Sequence, residues 1–380
     1  MKTGMCVLIL LILLGTRVQA QKAENIFIIT TDGTRWQEIF NGADSALLHD
    51  TGFVQDTALS CQLYWDPSPE ERRKRLMPFF WNVIAKQGQL YGNRTIESKV
   101  NVKNIYKISY PGYNELLTGY PDPLPILNAP QYNRNISVLE YLNGLPEYRN
   151  RVAAFTSWNV FPFILNSRRN TMMQNSGYAV LSDTAESIRL ANKVQDSVAH
   201  KDKTRYDLLT FFNAREYIRL HHPRVVFLAL GETDEFAHKS RYDLYLQQLA
   251  NVDKMIAELW YAVQTDPFYK NNTTFLISTD HGRGRREKWV KHHTFVPGSG
   301  EIWLALLGKN ILPVGEMKGI KTVYQSQVAA TVAFLLGEDF RSNRSIGKPV
   351  FLPGAEIRTA AGDKALSTPV FETLTLTNEK

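Results

Sequence analysis

A chain of 380 residues, 44% hydrophobic and 21% charged, can bury one sizeable core, and no low-complexity tract or repeat marks it as fibrous or disordered. Its formal charge of +7 is mild, and no cluster alternates basic with aromatic residues, so nucleic acid is not an expected partner. Only two cysteines are present, which excludes a disulfide-stapled scaffold.

The first twenty residues stand apart. Lys2 gives a positive start, residues 7–14 form an unbroken apolar run, and Val18-Gln19-Ala20 is a small-residue cleavage pattern. The run is too short to span a bilayer, so residues 1–20 read as a signal peptide, with a periplasmic or secreted protein and no stable membrane anchor as the expectation. Cleavage near Ala20 removes Lys2 and Arg17 and no acid, leaving 42 basic residues (44 less 2) against 37 acids. It also removes Cys6, so Cys61 remains alone and reads as a packed thiol.

Beyond the peptide, apolar runs rich in β-branched residues end abruptly at polar or glycine-containing turns. Residues 25–31, 151–155, 224–230, 273–278 and 301–307 read as strands buried on both faces. Helical patterns lie between them. Residues 242–263 place Tyr245, Leu249, Val252, Ile256, Leu259 and Val263 on one face, and 208–219 and 326–336 are also helical in pattern. This alternation predicts a three-layer α/β/α sandwich with a mostly parallel central sheet, one domain over residues 21–355. Residues 41–94, rich in aromatics and charges, are left as a cap or insertion, and 356–380 as a loose tail.

Acids, histidines and a hydroxyl cluster where these strands end, and strand carboxyl ends share one sheet edge in such folds. Asp32 follows the first strand, where its charge needs either a metal or a helix to cap. Asp234-x-x-x-His238 spaces a carboxylate and an imidazole one helical turn apart, with Glu232 and Glu235 as competitors. Asp280-His281-Gly282 is the most specific motif, because two neighbouring ligands can share an ion only where a strand is turning. His292 and His293 follow, and the residues alone do not choose between them. Three acids and three histidines supply the N/O ligands zinc accepts, enough for a dinuclear centre.

The order Asp32, Ser109 (in Ser109-Tyr110-Pro111-Gly112 running to Thr118-Gly119), Asp234-x-x-x-His238, Asp280-His281-Gly282 and a late histidine resembles the alkaline phosphatase superfamily. Near the hydroxyl it is similar to the nucleotide pyrophosphatase/phosphodiesterase branch, which has Thr-Phe-Pro-Asn there. The resemblance implies a phosphate-ester hydrolase with two divalent ions, of which zinc is the expected identity, and a small-molecule ester as substrate. It assigns Asp32, Asp280 and His281 to one ion, Asp234, His238 and a late histidine to the other, and Ser109 to both nucleophile and ligand. The stretch from Trp289 resembles a family segment that favours His292 over His293. Gly112 replaces the branch's asparagine, so Asn104, Asn114 and Asn159 become candidate substrate contacts. Tyr113 stands where sulfatases carry arginine, which argues against a sulfatase.

For a monoester dianion, Arg283, Arg285 or Lys107 would be the extra cations, with surface solvation as their bland role. For a diester, Trp36, Phe40, Tyr110 and Trp158 are slot candidates, with core packing as theirs. The alternatives to a hydrolase are a phosphoglycerate-mutase-like phosphotransferase and a non-catalytic binding protein that retains the metals.

Overall fold

The computed structural model describes residues 22–124, 127–354, 356–358 and 365–367. The expected signal peptide therefore lies outside the described residues, as does most of the expected tail. Among the described residues, eleven strands precede residue 355: β1 (Asn25–Thr31), β2 (Gly88–Tyr91), β3 (Val100–Asn101), β4 (Val152–Thr156), β5 (Met173–Ser176), β6 (Val225–Leu230), β7 (Thr273–Ser278), β8 (Glu301–Ile302), β9 (Leu304–Gly308), β10 (Gly315–Glu316) and β11 (Val323–Tyr324). Eight form one sheet in the order β10-β2-β9-β7-β1-β6-β4-β5, while β11, β3 and β8 make a small second sheet.

The sheet is mostly parallel, as expected. Strand β1 is its centre, parallel to β6 and β7 on either side, and only β9 runs against its neighbours. Every residue of β1, β6 and β7 is buried. The reason is visible in the alternation of side chains. Ile26 and Ile28 face one hydrophobic core, Phe27 and Ile29 the other, and β6 divides in the same way. One core is closed by the helices Ser109–Thr118, Val138–Gly144 and Val328–Leu335, the other by Asp207–His221 and Tyr242–Thr265. Layers of helix, sheet and helix result.

Three readings are refined. The run 301–307 is two strands, because the chain passes from the small sheet to the large one at Trp303. Residues 41–94 fold as short helices that bury Leu47, Leu48, Leu76, Phe80 and Trp81 in the second core, then deliver β2 into the main sheet. The described part of the tail is an antiparallel pair, Glu356–Arg358 with Ala365–Ser367. No helix among the described residues is long and apolar enough to cross a membrane.

Candidate metal centre and ester site

Registry brings the chemistry to one edge. Thr31 lies opposite Leu230 and Thr30 opposite Ser278, so Asp32, the helix Glu232–His238 and Asp280 all emerge together at the carboxyl ends of β1, β6 and β7. The helix Ser109–Thr118 points its first residue at the same place, with its N-terminal end toward the site. Two close approaches make this possible. Gly33, at φ +61°, donates its N–H to Asp280 Oδ1 at 3.0 Å, and a side chain there would meet Asp234 and Arg283 at 2.7 and 2.8 Å. A side chain at Gly112 would come within 2.5 Å of the Asp280 carbonyl oxygen.

Ser109 Oγ lies 3.3 Å from His281 Nε2 and 3.5 Å from Asp32 Oδ1. His281 Nε2 is 3.4 Å from both Asp32 Oδ1 and Asp280 Oδ2. Its Nδ1 faces the Gly282 carbonyl at 2.9 Å, an oxygen that only accepts, so Nδ1 carries the proton and Nε2 presents a lone pair. His292 is set in the same way by the Lys107 carbonyl at 3.2 Å. Its Nε2 sits 2.9 Å from His238 Nε2 and 3.5 Å from Asp234 Oδ1, and its ring stacks on His281 with centroids 3.7 Å apart.

The electrostatics of this cluster are those of a site built around cations. Burial raises the Asp32 carboxyl well above the usual range, and the Asp234 carboxylate adds to it. Burial followed by repulsion from Asp32 does the same to Asp280. Burial, then the neighbouring His281, holds His292 well below an ordinary imidazole. Asp234 goes the other way: its burial is outweighed by Arg283, then by His292 and His238. Asp280 is fully buried, yet its Oδ2 has no hydrogen-bond partner. An orphaned carboxylate oxygen facing a lone-pair nitrogen and a second carboxylate fits a divalent ion. Two groups have atoms close enough to share one: Asp32, Asp280 and His281, and Asp234, His281 and His292. His238 adjoins the second group, with Nε2 3.2 Å from Asp234 Oδ2.

The structure thus brings together Asp32, Ser109, Asp234, His238, Asp280, His281 and His292. Asp32 caps no helix, since the next one begins at Trp36 with Arg35 before it. His293 is exposed and bonded locally, its backbone N–H donating to Ser299 Oγ and its Nδ1 accepting from the Phe295 N–H. Of Glu232 and Glu235, both pair with Lys201.

The substrate candidates divide. Asn104 is buried and engages Glu115 and the Lys107 N–H, while Asn114 bonds Tyr120, Asn133 and Asn135. Both are therefore structural. Asn159 lines a cleft of about 1030 Å³ that opens beside Asp32, Ser109, Asp234 and His238. Trp158, Val160, Phe163 and Pro130 form its apolar wall. Asn128, which sequence reasoning missed, lines it too, with Oδ1 held by the Tyr110 N–H. Nothing in its proline-rich surroundings signalled it. Among the aromatics, Phe40 and Tyr110 are core residues and Trp36 bonds Glu301, leaving Trp158 in the cleft. Arg283 is the largest departure. Far from being surface-solvated, it is fully buried and ion-paired with Asp234. Tyr113 is buried against Phe161, and its hydroxyl partly offsets the upward shift of the Asp32 carboxyl.

An α/β sandwich with acids and imidazoles gathered at the strand ends around a hydroxyl defines an ester hydrolase of the alkaline phosphatase type. Solved structures agree on the fold. A protein of that superfamily from Vibrio parahaemolyticus is 12% identical with a TM-score of 0.54, over 89% of this chain and 72% of its own. The alkaline phosphatase PafA is 10% identical at TM-score 0.55, over 87% and 98%. The lipoteichoic acid synthase LtaP from Listeria monocytogenes is 10% identical at 0.54, over 87% and 75%. No curated protein matches the sequence. The family model for type I phosphodiesterase / nucleotide pyrophosphatase matches residues 80–342, and the chain belongs to that family.

Proposed function

We propose that this chain is an exported two-zinc hydrolase that cleaves phosphodiesters through a phosphoseryl intermediate on Ser109. The observation that carries the reading is the position of Ser109 Oγ: at a helix N-terminus, against His281 Nε2 and Asp32 Oδ1, at the floor of an open cleft. Bound dications would supply charge neutralisation and would lower the pKa of a coordinated hydroxyl or water. Asp32, Asp280 and His281 would hold one, Asp234, His238 and His292 the other.

The protein's own residues do the rest. Ser109, as the first residue of its helix, carries Oγ at the mouth of the site, where it would attack phosphorus. Attack forms the Ser–O–P bond and expels the leaving alkoxide. Water then attacks the same phosphorus and returns the serine hydroxyl. His281 and His292 are fixed with their lone pairs toward the centre by carbonyls that can only accept. The apolar wall of Trp158, Val160 and Phe163 suits an ester substituent and excludes water from one side.

A diester is favoured over a monoester by charge. Most cations near the site are already engaged, Arg283 by Asp234, Lys201 by Glu232 and Glu235, and Lys239 by Glu235, which leaves Lys203 alone on the cleft lining to meet a dianion. The test compares zinc-loaded protein on bis-p-nitrophenyl phosphate and p-nitrophenyl phosphate, with Ser109→Ala alongside. Metal-dependent turnover that favours the diester and vanishes in the variant supports the reading. Metallated protein that cleaves neither ester rejects it.

A further inference from the structure

We infer that the two ion sites have unequal affinities, and that the buried guanidinium of Arg283 sets the difference by holding one oxygen of Asp234. This rests on the two-metal reading above and concerns a residue that reading does not use.

The sites are built differently. Asp32, Asp280 and His281 are 5%, 0% and 0% exposed, and among the described residues no lysine or arginine is ion-paired with either acid. That site offers an ion two carboxylates, neither of them ion-paired to a lysine or arginine, with Asp280 Oδ1 taken by the Gly33 N–H and Oδ2 open. The Asp234, His238 and His292 site offers one, and Arg283 Nη1 is already on its Oδ1. It is also the wetter site, with the His238 side chain 48% exposed.

Arg283 is fastened, so it does not yield to an incoming ion. Its Nε donates to the Trp289 carbonyl at 2.6 Å and its Nη2 to the Val290 carbonyl at 2.8 Å. Gly33 leaves the space beside Nη1 that any side chain there would take. The third edge of the guanidinium can therefore point only at Asp234, and only Oδ2 of that carboxylate is left for an ion. With the guanidinium included, the ligands of this site sum to no net charge, against two negative charges at the other, whose Asp32 feels Arg283 without being paired to it. A fixed positive charge that close opposes a dication and is poorly screened by solvent. The Asp32–Asp280–His281 ion is thus the resident one, and the Asp234–His238–His292 ion the exchangeable one.

The experiment titrates metal-free full-length protein with Zn²⁺ against a chromophoric chelator, with circular dichroism to verify folding. Wild type should show two classes of one ion each, the weaker lost in His238→Ala and the tighter in Asp280→Asn. Arg283→Met should tighten the weaker class by roughly tenfold or more while leaving the tighter one in place. Arg283→Gln, which can still donate to the backbone carbonyls, should do the same if the methionine variant does not fold, whereas Arg283→Lys, which keeps the charge, should not. A single affinity class overturns the inference, and so does a folded neutral variant whose weaker class is unchanged or weakened. Protein that binds no zinc rejects the two-metal reading itself, which no ratio of affinities would do.

Discussion

At the level of single residues, the site depends as much on missing side chains as on present ones. The branch this chain resembles carries an asparagine where Gly112 stands. The Asp280 carbonyl fills the space that any Cβ would occupy, so here the helix approaches the strand end more closely than that asparagine would allow. Gly112→Asn should therefore lower activity instead of restoring a phosphate contact. It should also cost about 1–3 kcal/mol of stability, read as a drop in the denaturant midpoint. Ser109→Ala should reduce kcat by roughly a thousandfold or more while zinc content, measured by elemental analysis, stays the same. Legibility at this scale was uneven for physical reasons. Residues that announce themselves at strand ends, such as Asp32 and Asp280, were readable. Arg283 was not, because its burial depends on two carbonyls, of Trp289 and Val290, that converge on it only in the folded chain.

At the level of elements, continuous apolar runs identified β1, β4, β6 and β7, since strands covered on both faces need no polar side. The same criterion could not find β5, where Met-Gln-Asn-Ser lies at the sheet's edge, or β2, whose buried Gln89 interrupts a run of four residues. Strand β2 is anchored from another direction. Asp253, on the long helix Tyr242–Thr265, accepts the N–H groups of Phe79 and Phe80 at 2.8 Å each, just ahead of that strand. Burial pushes the Asp253 carboxyl from 3.8 up to about 6 despite those bonds. The folded state therefore holds this proton more tightly than the unfolded chain. Stability from this group is greatest below pH 3.8 and is lost as the pH rises to about 6. Between pH 4 and 7, urea unfolding should show Asp253→Asn gaining on wild type by up to ~3 kcal/mol. A constant difference across that range would contradict the assignment.

For the whole molecule, three carboxylates are packed at one sheet edge with a single arginine directly paired to them. Removing bound ions should lower the melting temperature. Each ion held at 100 to 1,000 times its dissociation constant adds roughly 3–4 kcal/mol to the folded state. Scanning calorimetry with EDTA and after zinc is restored measures this, and an unchanged melting temperature would mean that the acids are balanced in some other way.

The position of β1 has a further consequence, for the order of events as the protein is made. Among the described residues the first strand is the central one of the sheet, and its two partners follow about 200 and 250 residues later. Until Thr273–Ser278 has been made, β1 has one edge open, and Asp280, His281 and His292 do not yet exist. Strand β7 and His292, the last imidazole of the site, lie within thirty residues of each other. A metal site built on Asp32, Asp280, His281 and His292 can therefore be completed only after β1 has gained its second partner.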